Sequence, residues 1–201
     1  MTYDSVQYWR YERIKNFEKL KGRDYHPYRM TEPAVKFFRG KLGLGVNRLL
    51  DIGCGYGRLS RALGGCYREY VGIDPVIERV AEASRLYPKH TFRQLAPGQV
   101  WPVGDDEFNA AVCCTVLQHL ELERAQDLLA NAYRTLRPGG SLYMWEGRIG
   151  IDEPRYQMIC KITLEAHMIP KRLEDLKAAA PFIWQPQANP GELGWHLVKQ
   201  S

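Results

Sequence analysis

The spacing of apolar residues changes character twice along this chain. Over residues 3–21 they recur at helical intervals. Val6, Trp9, Ile14, Phe17 and Leu20 form one stripe among charged and aromatic neighbours, which predicts an amphipathic helix. Gly22 to Pro27 interrupts it, and Thr31-Glu32-Pro33-Ala34 restarts a helix, with Thr31 as N-cap and Pro33 in the first turn, running to about Arg39. From Val46 the period shortens. Apolar-weighted runs at 46–52, 69–73, 90–94, 108–114 and 141–146 predict strands, and stretches at 57–64, 76–86 and 122–136 predict helices between them. Alternation of this kind predicts an α/β fold, a doubly wound and mostly parallel sheet with helices on both faces. Near the end, Phe182–Gln185 and Gly194–Lys199 are two β-rich runs separated by Pro186, Asn189, Pro190 and Gly191. They predict a long-looped antiparallel pair, hence a reversed strand at the C-terminal edge. The organisation is an N-terminal helical arm or lid over 1–45, then one domain over 46–201 with a helical insertion at about 151–180.

Composition narrows the class. A length of 201 residues, 45% hydrophobic, suits one domain with a sizeable core. There is no run of about 18 apolar residues, and Met1-Thr2-Tyr3-Asp4-Ser5 does not begin a secretion signal. No membrane partner is expected, and a cytoplasmic location is. Five cysteines are an odd number and none stands in a C-x-x-C pair, so neither a disulfide framework nor a metal site is expected. The net charge of +5 is uneven. Residues 1–48 hold 11 Lys and Arg against 5 Asp and Glu, and the remainder holds 17 against 18. The whole excess lies in the N-terminal segment, which suits a solvated helix face or contact with an anionic acceptor or nucleic acid.

The chemistry concentrates at Leu49-Leu50-Asp51-Ile52-Gly53-Cys54-Gly55-Tyr56-Gly57-Arg58. An apolar strand runs into three glycines spaced two apart, and helical spacing resumes at Leu59, Ala62 and Leu63. Glycines there let the backbone approach a ligand, and the following helix start offers N–H donors to it. The next strand ends in Asp74, about 20 residues on, where an acid accepts hydrogen bonds from ribose hydroxyls. Asp51 supports the turn or meets an ammonium group. A dinucleotide site wants its third glycine three residues after the second, and Arg58 holds that place.

With these residues in view the chain resembles the class I S-adenosylmethionine-dependent methyltransferases. LLDIGCGYGRLS (residues 49–60) is similar to their first motif and VGIDP (71–75) to their second. DDEFNAAVCCTVLQHL (105–120) is similar to the fourth-strand motif, and LRPGGSLYM (136–144) to the entry of strand five. The resemblance covers about residues 46–146 and implies a Rossmann-like fold, S-adenosylmethionine as cofactor, and methyl transfer to a small-molecule acceptor at oxygen or nitrogen. It implies a cofactor site of Asp51, Gly53, Cys54, Gly55, Gly57, Asp74, Pro75, Gln94, Leu95, Cys114 and Gln118, completed by Tyr8, Trp9 and Arg29 of the lid. Arg29 would clamp the methionine carboxylate, with the aromatics near the sulfonium.

The sequence departs from the family after strand three. The family places an acid or amide there for adenine, whereas this chain has Phe92-Arg93-Gln94-Leu95-Ala96, leaving Gln94 or backbone groups for that contact. The catalytic candidates are His119, as a general base for an acceptor that must lose a proton, and Glu146 at the end of strand five. Each has a structural alternative: His119 as a pocket-shaping residue, Glu146 in an ion pair with Arg148 or a neighbour. Cys113-Cys114 lacks the Pro-Cys context of nucleophilic methylation and reads as pocket wall. Two rival functions are an RNA methyltransferase using the basic arm, and a cofactor-binding or interaction protein without turnover.

Overall fold

The computed structural model describes residues 32–96, 98–146, 171–187 and 193–201. Among them are strands β1 (Val46–Ile52), β2 (Tyr67–Asp74), β3 (Thr91–Gln94), β4 (Phe108–Cys114), β5 (Leu136–Trp145), β6 (Phe182–Trp184) and β7 (Gly194–Lys199). The helices are α1 (Glu32–Leu42), α2 (Arg58–Ala62), α3 (Ile77–Leu86), α4 (Leu122–Thr135) and α5 (Leu173–Lys177). The strands form one sheet in the order β3-β2-β1-β4-β5-β7-β6. The first five run parallel, and β7 lies antiparallel to both β5 and β6. The doubly wound, mostly parallel α/β sheet expected from the alternation is therefore the observed one.

Two cores sandwich this sheet, and the two-residue period of the strands assigns side chains to each. Leu50, Ile52, Val71, Ile73, Ala111, Cys113, Leu142 and Met144 face α4, with Leu128, Leu129 and Ala132, and Leu176 of α5. Their chain neighbours Leu49, Tyr70, Ala110, Val112 and Tyr143 face α1 and α2, with Ala34, Phe38, Leu42 and Leu59. Burying one such Leu or Phe is worth about 1.5–3 kcal/mol, so both faces are required to hold the central strands. Gly194 leaves room for α1: a Cβ there would stand 2.4 Å from Phe37 Cε2.

Several element ends differ from the periodicity. β2 begins at Tyr67, because Tyr67 pairs with Val46 at the start of β1. α1 continues to Leu42, whose side chain is buried, and stops where Gly43 turns left-handed (φ 61°) and its N–H returns to Arg39 O. β5 reaches back to Leu136, which pairs with Phe108 before an irregularity re-registers Ser141 on Ala110. Residues 171–180, placed in the insertion by the sequence, include α5, held to α4 by Gln126 Nε2 donating to Asp175 O at 2.8 Å. The predicted helix at 3–21, the Thr31 cap and residues 151–170 of the insertion lie outside the described residues. No helix among the described residues is long and apolar enough to cross a membrane.

Chain direction of the crossovers reverses between β1 and β4, since β2 and β3 lie to one side of β1 and β4 and β5 to the other. Open α/β sheets bind ligands in the crevice at the carboxyl ends of such a strand pair. The turns after β1, β2, β4 and β5 all open there.

Candidate functional site

The turn leaving β1 needs its glycines for separate reasons. Gly53, Gly55 and Gly57 all have left-handed backbones (φ 72°, 53° and 73°), a conformation costly for residues with a Cβ. A Cβ on Gly53 would lie 2.4 Å from Val116 Cγ2, and one on Gly57 would lie 2.9 Å from the rings of Tyr87 and Phe92. A Cβ on Gly55 would meet nothing within 4 Å. Gly53 and Gly57 thus permit packing, and Gly55 presents bare backbone to open space.

The amides of this turn are engaged within the protein. Gly53 N and Cys54 N both donate to Ile73 O (2.8 and 3.0 Å), Gly57 N donates to Cys54 O (2.9 Å), and Gly55 N donates to Asp74 Oδ2 (2.9 Å). At the helix start expected to offer N–H donors, Ser60 N and Ser60 Oγ both close back on Gly57 O, and α2 is only five residues long. Such a turn is a steric cradle rather than a nest of amides for phosphate.

Asp74 closes the cradle from β2. Its Oδ1 accepts from Val76 N at 2.9 Å while Oδ2 holds Gly55 N. Burial raises its pKa; the charge of Arg79 and the two amides pull it back toward ionisation. A carboxylate has about four lone-pair sites, so after the two amides each oxygen retains acceptor capacity for a vicinal diol. Pro75 and Leu95 frame this corner: Gln94 Nε2 donates to Pro75 O (3.2 Å) and Leu95 N donates to Asp74 O (3.0 Å). In this arrangement the Gln94 amide and the Leu95 N–H, offered by the sequence for adenine, tie β3 to the exit of β2.

Asp51 lies beneath the turn, only 1% exposed, and receives a hydrogen bond from Tyr70 OH on Oδ2. Burial pushes its pKa up to about 7, against the Tyr70 bond and the charge of Arg58. Tyr67, Tyr70, His90 and Phe92 pack ring against ring below it, and Tyr67 OH donates to Ser60 O. Cys54 wedges against Gly72, where a Cβ would lie 2.9 Å from Cys54 Sγ. Burial drives the Cys54 thiol well above its ordinary pKa, so it is a neutral filler.

The opposite wall comes from β4 and β5. Past Cys114, Thr115 adopts a left-handed backbone (φ 57°) and donates its N–H to Trp145 O at 2.9 Å. Leu117–His119 then form one 3₁₀ turn. Glu146 lies beneath that turn: Val116 N donates to Oε1 at 2.6 Å, Gln118 N to Oε2 at 3.4 Å, and Cys113 Sγ to Oε1 at 3.5 Å. Burial lifts Glu146 to about 7 even with these donors. Lys171, also buried, is brought down to about 8 by desolvation, while Glu146 and Glu121 pull it upward. Gln118 Nε2 is 3.2 Å from His119 Nε2, and both residues are buried. Cys114 is buried, with its thiol raised to about 12 chiefly by desolvation, which suits a wall and not a nucleophile. Phe37 of α1 and Trp145 at the end of β5 meet ring to ring at 5.5 Å, packed against the core on that face of the sheet.

The structure therefore gathers Asp51, Gly53, Cys54, Gly55, Gly57, Asp74, Pro75, Gln94, Leu95, Cys114, Gln118, His119 and Glu146 at the carboxyl ends of adjacent strands. Tyr8, Trp9, Arg29 and Arg148 lie outside the described residues. Sequence reasoning missed Tyr70, Gly72, Val116 and Lys171. Nothing local marks them, because each acts through a partner that only the sheet brings near. Among the described residues no group of three His, Cys, Asp or Glu stands together as a metal site.

With this geometry established, comparison with known proteins is informative. Residues 49–140 match the family model described as a methyltransferase domain. The mitochondrial ubiquinone biosynthesis O-methyltransferase of Rattus norvegicus is 30% identical over 104 residues, covering 48% of this chain and 30% of the relative. The Pseudomonas aeruginosa ubiquinone biosynthesis O-methyltransferase is 26% identical over 143 residues, covering 65% of this chain and 60% of the relative. The chain thus spans less than two thirds of these relatives. Among solved structures, the YcgJ protein of Bacillus subtilis aligns at TM-score 0.66 with 18% identity, over 77% of this chain and 70% of that one. Magnesium protoporphyrin IX methyltransferase of Synechocystis, solved with bound SAH, aligns at 0.65 with 14% identity, over 97% and 98%. The [4+2]-cyclase SpnF aligns at 0.69 with 19% identity, over 92% and 75%. These likenesses establish the fold. The last one illustrates that a shared fold leaves the reaction to be argued from the site.

Proposed function

We propose, since this chain belongs to the class I S-adenosylmethionine-dependent methyltransferases by the family match of residues 49–140 and its sheet order, that it transfers a methyl group from S-adenosylmethionine to a small-molecule acceptor. The observation that carries the reading is Asp74. Its carboxylate is fixed through Gly55 N and Val76 N, with acceptor capacity left for two ribose hydroxyls, beside the bare backbone of Gly55. A phosphate-free nucleoside fits a turn in which the amides of Gly53, Cys54, Gly55 and Gly57 are already engaged, which leaves a pyrophosphate fewer donors.

When bound, S-adenosylmethionine supplies a methyl group on a positively charged sulfur that becomes neutral as the group departs. The residues of this chain hold and align. Asp74 takes the ribose, Gly53, Gly55 and Gly57 let the backbone lie against the nucleoside, Asp51 provides negative charge for the ammonium end, and Cys114 with Gln118 form the wall. Alignment of this sort contributes about 7–11 kcal/mol to such reactions. His119, on the 3₁₀ turn beside Gln118, is our candidate to take a proton from an acceptor hydroxyl. Glu146 serves that turn by holding its amides.

Oxygen is the favoured atom, because the curated relatives named above are O-methyltransferases; nitrogen is the competing outcome. The test has two stages. Calorimetry with S-adenosylmethionine should give a saturable binding heat. Transfer of an isotopically labelled methyl group is then measured on a panel of phenols, hydroxy acids and amines. No heat at high concentration removes the enzyme reading in favour of an interaction protein. Binding with transfer only to amines moves the acceptor atom to nitrogen.

A further inference from the structure

Among the described residues, Asp51 has the fewest donors of the three buried acids at this crevice. Asp74 and Glu146 each take two backbone amides. Asp51, 1% exposed, takes one phenol: Tyr70 OH donates to Oδ2, and among the described residues no second donor reaches the carboxylate. The parallel register explains why. Asp51 stands opposite Gly72 on β2 and opposite Val112 on β4, and neither neighbour has a polar side-chain atom. A buried carboxylate short of donors is destabilising, and a cationic ligand supplies the partner that the strands do not.

Tyr70 reaches Asp51 from two residues back along β2. It pairs with Leu49, so the two residues lie on one face of the sheet, with only a glycine between Tyr70 and the position beside Asp51. The Tyr70 ring, 2% exposed, is packed by three others: the centroids of Tyr67, His90 and Phe92 lie at 5.2, 5.3 and 5.8 Å. A ring held in this way leaves its hydroxyl little freedom, so the hydrogen bond orients the carboxylate as well as pairing it.

We infer that Tyr70 is a positioning residue of the cofactor site: its hydroxyl holds Asp51 Oδ2 and thereby leaves Oδ1 for the ammonium group of the amino-acid arm. This rests on the nucleoside reading proposed above, in which Asp51 serves that end of the ligand. The aromatic cluster under the glycine turn thereby takes part in binding.

The experiment is titration calorimetry on the full chain with two ligands, between about pH 6 and 8. S-adenosylhomocysteine has the amino-acid arm; 5′-methylthioadenosine has the same nucleoside and a thioether but no arm. Asp51 titrates in this window, at about 7. The readout is the ratio of the two affinities. Titration of Asp74 at the ribose or of His90 behind Tyr70 touches both ligands alike, and the Arg58 guanidinium beside Asp51 keeps its charge throughout. Burial raises Cys54, Tyr67, Tyr70, Cys113 and Cys114, which stay neutral.

In wild type the preference for S-adenosylhomocysteine should grow as pH rises through the window, because Asp51 gains its charge. Tyr70→Phe keeps the ring and removes the donor. It should weaken S-adenosylhomocysteine about tenfold near pH 7, as for one hydrogen bond to a charged group. It should also move the midpoint of the ratio to higher pH and change 5′-methylthioadenosine less than twofold. Asp51→Asn should flatten the ratio, and Tyr70→Phe added to it should change neither ligand more than twofold. That double variant is the probe should Tyr70→Phe alone fail to fold: affinities equal to those of Asp51→Asn support the inference, and a further loss of S-adenosylhomocysteine overturns it. An unmoved midpoint in Tyr70→Phe overturns it, and so does an equal loss for both ligands, since Tyr70 would then only pack the turn. A wild-type ratio independent of pH overturns it by removing Asp51 from the ammonium group, while binding of both ligands leaves the nucleoside reading intact. If wild type binds neither ligand, the nucleoside reading itself fails, and the inference falls with it.

Discussion

Val116 occupies the place a side chain on Gly53 would take: a Cβ there would stand 2.4 Å from Val116 Cγ2. The turn after β1 and the turn after β4 therefore interlock. Val116 is in its own turn held by Glu146, whose Oε1 accepts from Val116 N at 2.6 Å. A carboxylate at the end of β5 thus steadies the glycine cradle through one intermediate residue.

This interlock separates two glycine substitutions. Gly53→Ala meets both a left-handed backbone and a filled space, each costing about 1–3 kcal/mol. It should lower unfolding stability in urea by about twice the effect of Gly55→Ala. Gly55→Ala carries the backbone cost alone but puts a methyl group where the nucleoside would lie, so it should lose cofactor binding with most of its stability intact. Comparable stability losses for the two would contradict the interlock.

Asp74→Ala removes the ribose acceptor and the partner of Gly55 N and Val76 N together. Affinity for S-adenosylhomocysteine should fall by about 1.5–3 kcal/mol, the range for hydrogen bonds to a charged group. Calorimetry reads it directly, and an unchanged affinity would remove Asp74 from the ribose.

Asp51 and Glu146 set a pH dependence of stability. Each is raised by burial to about 7, from ordinary values of 3.8 and 4.5. Between those limits the folded state holds protons that the unfolded chain has released, so stability falls as pH rises. Their contribution is fully present below about pH 4 and is lost by the time pH passes 7. In Glu146→Gln the decline from pH 4 to 7 should be shallower. Because one side-chain amide cannot accept from both Val116 N and Gln118 N through two oxygens, the variant should also lose about 1–3 kcal/mol. Urea midpoints across pH test both; an unaltered slope would show that Glu146 does not titrate in this window.

His119→Gln keeps a polar group of similar reach on the 3₁₀ turn. As the general base, His119 should be worth about 10²–10⁴ in turnover, with S-adenosylhomocysteine affinity unchanged. Full turnover in the variant would leave His119 with the shaping of the pocket.

Much of this was readable along the chain. Strand and helix identities for residues 46–146 follow from short-range periodicity, which the physics of one helix face or one strand face writes directly into sequence. The glycine turn and the acid 19 positions past Gly55 follow from local backbone need and motif spacing; only coordinates revealed that Gly55 N and Asp74 Oδ2 join at 2.9 Å. The start of β5 at Leu136 was hidden, because its pairing to Phe108 depends on a neighbour 28 residues earlier. Tyr70, for its part, looked like one more buried residue of β2 until parallel pairing put its hydroxyl on Asp51.

The sequence alone determined which segments form the α/β layers and which residues carry the nucleoside-like signature, since those properties depend on neighbours within a turn or two. Tertiary structure alone decided how the site is held. Gly53 against Val116, Glu146 under the 115–119 turn, and the turn amides occupied by Ile73 and Asp74 are contacts between strands far apart in the chain. Side-chain packing and hydrogen bonding act at a few ångströms of separation in space, and periodicity records nothing of which distant segment will supply the partner.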